Sequence, residues 1–494
     1  MGDSLEEDGM RVLEGLEPQS VFHFFEQLCG IPHGSGNVKQ ISDHLKNFAE
    51  ERALFCEQDA LGNVVIIKEA STEREQEEPY ILQAHMDMVA VTAQGSQIDM
   101  KKEPLRLRVE GDKLYAEETS LGGDDGIGVA YCLALLDAKD LSLPRLEVIL
   151  TVDEETGMEG ATGIDLTMLQ GRRMINLDQE EEGIFITSCA GGARVDVTIP
   201  MERDLESIDK LVEIKVTGLL GGHSGIEIDK GRGNANCLLG QVLRTVSERC
   251  RIRLAGMNGG MADNAIPREA SAVLAVEAAD LSAVESAVKE QEEKIREQMT
   301  AEEKQVQVVC CQLTEGESSA VMTEASTKKA LACLLELPNG VAAMSKDVEG
   351  LVETSLNLGI LALEEEGLHL QYAVRSSVDQ DKEALCDRIS DIAQKSGASA
   401  FVKNPYPGWA YRKDSPLREK MVQIYEDMYG KPPVLQAIHA GLECGILAGK
   451  LPGLDCVSIG PDLFDVHTAQ ESMSIASVKR VWEYLLAVLT QTVC

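Results

Sequence analysis

The stretch Tyr80-Ile-Leu-Gln-Ala-His85-Met86-Asp87 runs a short apolar strand straight into an imidazole and a carboxylate. Apart from Gln83 the run is apolar on both sides, as expected of a strand with both faces covered. Three more runs share that texture: Asn63 to Lys68, Arg145 to Val152 and Arg173 to Leu177. Amphipathic helix patterns lie at 17–29 and 38–53, and Gly126 to Lys139 reads as a helix between two of the strands. Such alternation predicts an α/β domain with a mostly parallel sheet and helices on its faces.

Beyond residue 190 the pattern changes. Leu211 to Thr217 reads as a strand, followed by a glycine-rich turn and a helix at 234–248. Ala270 to Val276, a charged helix at 280–304 and Gln305 to Gln312 come next. The same strand–helix–strand order returns in Leu368 to Val374, 380–396 and Ala398 to Lys403, as if two α/β units were packed together. The end of the chain resumes the first texture, with a helix at Pro416 to Tyr429, a strand at Leu454 to Ile459 and a helix at Val478 to Thr492. The simplest architecture is a catalytic domain built from 1–190 and 405–494, with an α+β lid domain inserted at 191–404.

The chemistry collects just past the strands. His85-Met86-Asp87 follows the first, Asp153-Glu154-Glu155-Thr156-Gly157 the second and Asp178 the third, while His467 stands a few residues beyond the last. A fifth segment, Leu121-Gly-Gly-Asp124-Asp125-Gly-Ile-Gly, opens a helix. Open α/β sheets bind ligands at the carboxyl ends of their strands. Alone, each segment is unremarkable, since Gly-Gly-Asp-Asp-Gly is an ordinary turn and helix cap. Together they deliver imidazoles and carboxylates to one edge, the ligand set of zinc that also suits cobalt or manganese. Two histidines and several carboxylates exceed what one tetrahedral ion needs. They suit two metals about 3.5–4 Å apart, bridged by a carboxylate. Without cations, five crowded carboxylates would shift upward in pKa.

Composition sets outer limits. The chain has 494 residues, with 83 acidic against 46 basic side chains and a net charge of -37. Such a surface disfavours nucleic acid and anionic membranes as partners. No apolar run reaches the length of a membrane span, and Met1 to Leu16 lacks the pattern of a secretory signal. The 13 cysteines are scattered without a CxxC pair, which fits reduced thiols in a cytoplasmic protein.

In order, HMD, GGDDGIG, DEETG, NLD, GGHSG and a late GP…H resemble the co-catalytic zinc exopeptidases, a family of carnosinases, bacterial dipeptidases, carboxypeptidases and aminoacylases. The resemblance runs from about residue 17 onward. His439-Ala-Gly-Leu-Glu-Cys-Gly445, Glu353-Thr-Ser-Leu-Asn-Leu-Gly359 and the long insertion resemble the bacterial aminoacyl-histidine (Xaa-His) dipeptidase branch. Gly126 stands where the wider family commonly has lysine. The resemblance implies that His85 and Asp178 bind one zinc, Glu155 and His467 the other, and that Asp124 bridges them. It implies that Asp87 orients His85, that Glu154 is the general base, and that His223 supports the oxyanion across a domain cleft or from a second subunit. Asn264, Arg375 and the backbone at Gly441 resemble substrate-binding positions, Arg375 suiting a terminal carboxylate through its bidentate fork. After His467 the branch usually shows a proline and an acidic pair. Here Ala469, Gln470 and Glu471 follow, and Glu471 is not counted among the site residues.

The expected function is a two-metal dipeptidase acting on small unblocked dipeptides, including Xaa-His dipeptides such as carnosine. An N-acyl amino acid deacylase, or a carboxypeptidase or tripeptidase of the same fold, is the alternative. A non-enzymatic metal-binding protein is a third reading, against which the general-base position Glu154 argues. A homodimer is expected from the family. Dipeptide preference and native metal stay open at this level.

Overall fold

A computed structural model describes residues 11–204, 210–313, 321–348 and 350–491. The chain divides into two compact units: Met1–Ser188 with Arg412–Ala437 and Ile446–Cys494, and Cys189–Tyr411 with Ile438–Gly445. The sequence reading places 438–445 with the C-terminal part. In the structure this segment belongs to the second unit, where the Ala190 N–H donates to the carbonyls of Ile438 (3.2 Å) and Ala440 (3.0 Å).

The first unit is α/β. Its eight-stranded sheet runs in the order Phe55–Gln58, Val64–Lys68, Leu146–Thr151, Tyr80–His85, Arg173–Asn176, Asp455–Ser458, Ile184–Cys189, Val434–Ile438. The middle four strands are parallel, Tyr80–His85 pairing with both Leu146–Thr151 and Arg173–Asn176. Val64–Lys68 and Ile184–Cys189 flank them antiparallel. Tyr80–His85 and Leu146–Thr151 are buried along their whole length, as their apolar runs demand. Helix Gly123–Asp137 is buried almost throughout and packs against helix Gln19–Cys29. Glycine suits position 126, since a Cβ there would come within 3.3 Å of the Phe25 ring. A four-stranded sheet, ordered Leu463–Phe464, Ser472–Ser474, Lys113–Ala116, Leu107–Glu110, carries the hairpin that contains His467.

The second unit is α+β. The two expected strand–helix–strand units are halves of one nine-stranded, wholly antiparallel sheet. Arg253–Gly259 and Val352–Leu363 join the halves through Asn258↔Ala362 and Gly259↔Leu361. Helices Ala235–Ser247, Leu281–Gln298, Glu324–Glu336 and Asp379–Lys395 add their apolar sides to the sheet's core. The charged helix stops at Gln298, short of the expected 304, and the turn after it buries Glu303 against the N–H groups of Leu220 and Gly233. Each unit thus has its own apolar core. The twelve described cysteines are all free. Among the described residues, no helix is long and apolar enough to cross a membrane.

Candidate metal centre

His85 is the last residue of its strand, so its ring leaves the sheet at the carboxyl edge. Its Nδ1 lies 2.9 Å from the Asp87 carbonyl, which can only accept, so Nδ1 carries a hydrogen and Nε2 is the ring atom turned toward the carboxylates. That Nε2 stands 3.0 Å from Asp124 Oδ1 and 3.4 Å from Asp178 Oδ1. The other oxygen of Asp124, Oδ2, is 3.0 Å from His467 Nε2, and Glu155 Oε1 is 2.8 Å from that same nitrogen. Asp124 therefore offers one oxygen to each imidazole. Ligands bound at 2.0–2.1 Å around a tetrahedral ion are separated by roughly 3.3 Å. The spacing and the chemistry of this donor set fit two divalent cations sharing Asp124. The described residues hold two close groups of donors, His85 with Asp124 and Glu155, and His85 with Asp125 and Asp178.

Local structure explains how each side chain arrives. Asp153 takes a left-handed backbone (φ 54), and its Oδ1 accepts the Gly36 N–H at 2.6 Å. That bend starts the single helical turn Glu154–Gly157, which presents Glu154 and Glu155. Asp87 is fully buried. Its Oδ1 accepts the Glu154 N–H (3.1 Å), its Oδ2 accepts the Ser35 hydroxyl (2.8 Å), and Oδ1 lies 3.6 Å from His85 Nδ1. His467 also has a left-handed backbone (φ 62), a conformation that non-glycine residues adopt mostly where surroundings enforce it. Asp124 and Asp125 open helix Gly123–Asp137, and the peptide between them is cis.

Two supports were not counted in the sequence. Asp125 faces inward: its Oδ2 accepts the His85 N–H (3.1 Å) and its Oδ1 the Gly128 N–H (3.1 Å), which leaves it beneath His85. The Asp-Asp pair does not say by itself which member faces inward. Glu471, only 3% exposed, accepts the N–H groups of Leu121 (2.9 Å), Gly122 (3.2 Å) and Gly123 (2.8 Å). It braces the turn that carries Asp124 from outside the donor set. Its signal in the sequence is an acid four residues past His467, just ahead of the strand Ser472–Ser474.

The carboxylates do not shift together. Burial, helped by Asp178, raises Asp125, and burial lifts Asp178 to about 6. Burial also pushes on Asp124, yet hydrogen bonds from His467 and His85 prevail and hold it low. Asp87 is likewise held low against burial by His85. Hydrogen bonds to Asp124 and Glu155 push His467 up to about 11. Such a basic imidazole reports a cluster that demands positive charge, supplied by protons or by metal.

The four remaining site residues gather in the second unit. Strands Gly222–His223 and Ala265–Ile266 pair, and the Ser224 N–H donates to the Asn264 carbonyl at 2.8 Å. His223 Nδ1 accepts from the N–H groups of Gly225 and Ile226, both 3.2 Å, so its Nε2 is left to donate. Burial and Arg375 lower its pKa, keeping it neutral. Arg375 lies opposite Ser355 on the neighbouring strand. Gly441 lies in Ile438–Gly445, beside His439, whose imidazole is pushed down to about 3 by burial, Arg375 and His223.

Comparison with known proteins agrees with this fold. The model of peptidase family M20/M25/M40 matches residues 81–491. The chain is 35% identical over 485 residues to the cytosol non-specific dipeptidase of Escherichia coli (strain K12), covering 98% of this chain and 99% of that protein. The crystal structure of aminoacylhistidine dipeptidase from Vibrio alginolyticus superposes with a TM-score of 0.90 at 34% identity, covering 97% of each chain. Aminopeptidase PepT from Bacillus cereus shares the fold at TM-score 0.55 and 14% identity, covering 96% of this chain and 98% of its own. The chain therefore belongs to peptidase family M20/M25/M40.

Proposed function

We propose that the protein is a metal-dependent dipeptidase that hydrolyses unblocked dipeptides, Xaa-His dipeptides such as carnosine among them. The observation that carries this reading is Asp124, with one oxygen toward each of two imidazoles, next in space to Glu155 and its neighbour Glu154. The full-length similarity to the two dipeptidases supports it. His85, Asp178, Asp124, Glu155 and His467 would hold two divalent ions, zinc by preference, with cobalt or manganese as substitutes. When bound, such ions polarise a carbonyl and lower the pKa of water.

The chain's own groups do the rest. Glu154 takes the proton of the attacking water on its carboxylate and returns it to the leaving amine. Asp87 holds the Glu154 N–H and the His85 ring in one arrangement. His223, neutral and with Nε2 as donor, offers a hydrogen bond to the carbonyl oxygen as it becomes negative. Arg375 takes the terminal carboxylate in bidentate fashion, with the Asn264 amide and the Gly441 backbone beside it. Cytoplasmic placement accords with the free cysteines and the cytosol relative. A homodimer is the expected assembly, read by sedimentation.

The test is a substrate panel after chelation and metal restoration. Dipeptides, carnosine included, should be cleaved, while N-acetyl amino acids and tripeptides should not. Activity should vanish with chelator and return with zinc, cobalt or manganese. Glu154→Gln should lose roughly a thousandfold in kcat while still binding metal. Faster cleavage of N-acetyl amino acids than of dipeptides would move the assignment to a deacylase.

A further inference from the structure

Strands Val352–Leu363 and Gly367–Ser376 place Ser355 directly opposite Arg375. Directly opposed residues of an antiparallel pair project from the same side. Asn357, two residues on from Ser355, shares that side. Its amide donates to the carbonyls of Asp263 (3.0 Å) and Ala265 (2.8 Å), gripping the backbone on either side of Asn264. Ser355 in turn is bonded to His439, Oγ to Nε2 at 2.7 Å, and both side chains are buried. The His439 carbonyl packs directly on Gly225, in the turn of His223, where even a Cβ would collide with it.

Arg375 stands beside this neutral pair with few partners of its own. It is 9% exposed, its Nε is buried without a hydrogen bond, and Nη1 reaches only the Tyr406 hydroxyl at 3.4 Å. Among the described residues it forms no ion pair. A buried guanidinium so placed calls for an anion from outside the chain. Because the Ser355–His439 pair carries no charge, it fixes the wall of the pocket without competing for that anion.

We infer that His439 is a positioning residue for carboxylate recognition, holding through Ser355 the surface from which Arg375 meets the C-terminal carboxylate of a dipeptide. This rests on the dipeptidase reading above. Its role is to bind, so it acts on KM and leaves the chemical step to other groups.

The test compares a dipeptide with its C-terminal amide, using metal-loaded enzyme. His439→Leu should raise KM for the dipeptide about tenfold with kcat nearly unchanged, and leave kcat/KM for the amide within about threefold. Ser355→Ala should shift the same ratio in the same direction. His439→Gln, which keeps a hydrogen-bonding group, should recover most of the dipeptide KM. Equal losses on acid and amide, or no change in KM for either variant, would overturn the inference. If His439→Leu does not fold, Ser355→Ala and His439→Gln decide it. Failure of the unaltered enzyme to cleave dipeptides at all would instead overturn the dipeptidase reading.

Discussion

Glu154 and Glu155 are adjacent, start the same helical turn, and have different surroundings. Glu155 reaches His467 at 2.8 Å, whereas the backbone of Glu154 is tied down by Asp87. Neighbouring charge separates the histidines in the same way. His467, among carboxylates, is pushed up to about 11, while His439, buried beside Arg375 and His223, is pushed down to about 3. The second shift has a stability consequence. Below the ordinary imidazole value of 6.5, the unfolded chain takes up a proton at His439 that the folded chain refuses until about pH 3. Stability is therefore lost as pH falls through that window and is untouched by this group above it. At pH 5 the loss is about 2 kcal/mol. Denaturant unfolding of His439→Gln should show a smaller drop between pH 7 and pH 5 than the unaltered chain. An unchanged drop would assign the acid sensitivity to other groups.

At the scale of elements, the turn before helix Gly123–Asp137 must hold Asp124 still, yet its glycines supply no packing. Glu471, from the hairpin that also carries His467, closes it by accepting three successive N–H groups. Carboxylate acceptors at a helix N-terminus are favoured by the exposed N–H groups and the dipole there. Glu471→Ala would leave those buried donors without partners, at a cost of about 2–4 kcal/mol. The expected result is a lower Tm and metal binding weakened about tenfold, read by calorimetry and by metal content after dialysis. Retention of full metal content at low free metal would show that the turn holds without its brace.

At the scale of the molecule, the net charge of -37 acquires two parts. A few acids form the candidate metal centre and its supports, and two divalent ions would offset much of that local charge. The rest forms an anionic field that extends about 10 Å in 0.1 M salt. Substrates that carry an extra negative charge approach against it. For dipeptides with an acidic side chain, kcat/KM should rise about twofold to fivefold between 10 and 150 mM salt, while neutral dipeptides change little. A fall for the acidic substrates would mean that local cations such as Arg375 dominate the approach.

The parallel strands and their chemical ends were legible because the information is local. A run such as Tyr80–His85 is apolar along its length, and the residues past its end must emerge at the sheet edge. The segments that carry His85, Asp124, Glu155, Asp178 and His467 stand out by their order and strand-end placement, while the choice of those five among the neighbouring acids follows from the family resemblance. Pairing between distant segments was not legible. Asn258↔Ala362, which turns two strand–helix–strand units into one antiparallel sheet, joins residues that no local pattern connects. The fate of buried polar residues was equally hidden. Asp125 under His85, Glu471 under the Gly122–Gly123 turn and His439 on Ser355 each take their role from a partner on another element. By itself the sequence determined the fold class and which segments bring candidate donors to the sheet edge, because periodicity and residue chemistry reside in neighbouring positions. Only the tertiary structure decided which polar side chains support that set, because a buried polar group is defined by the hydrogen bonds it finds, and those come from far along the chain.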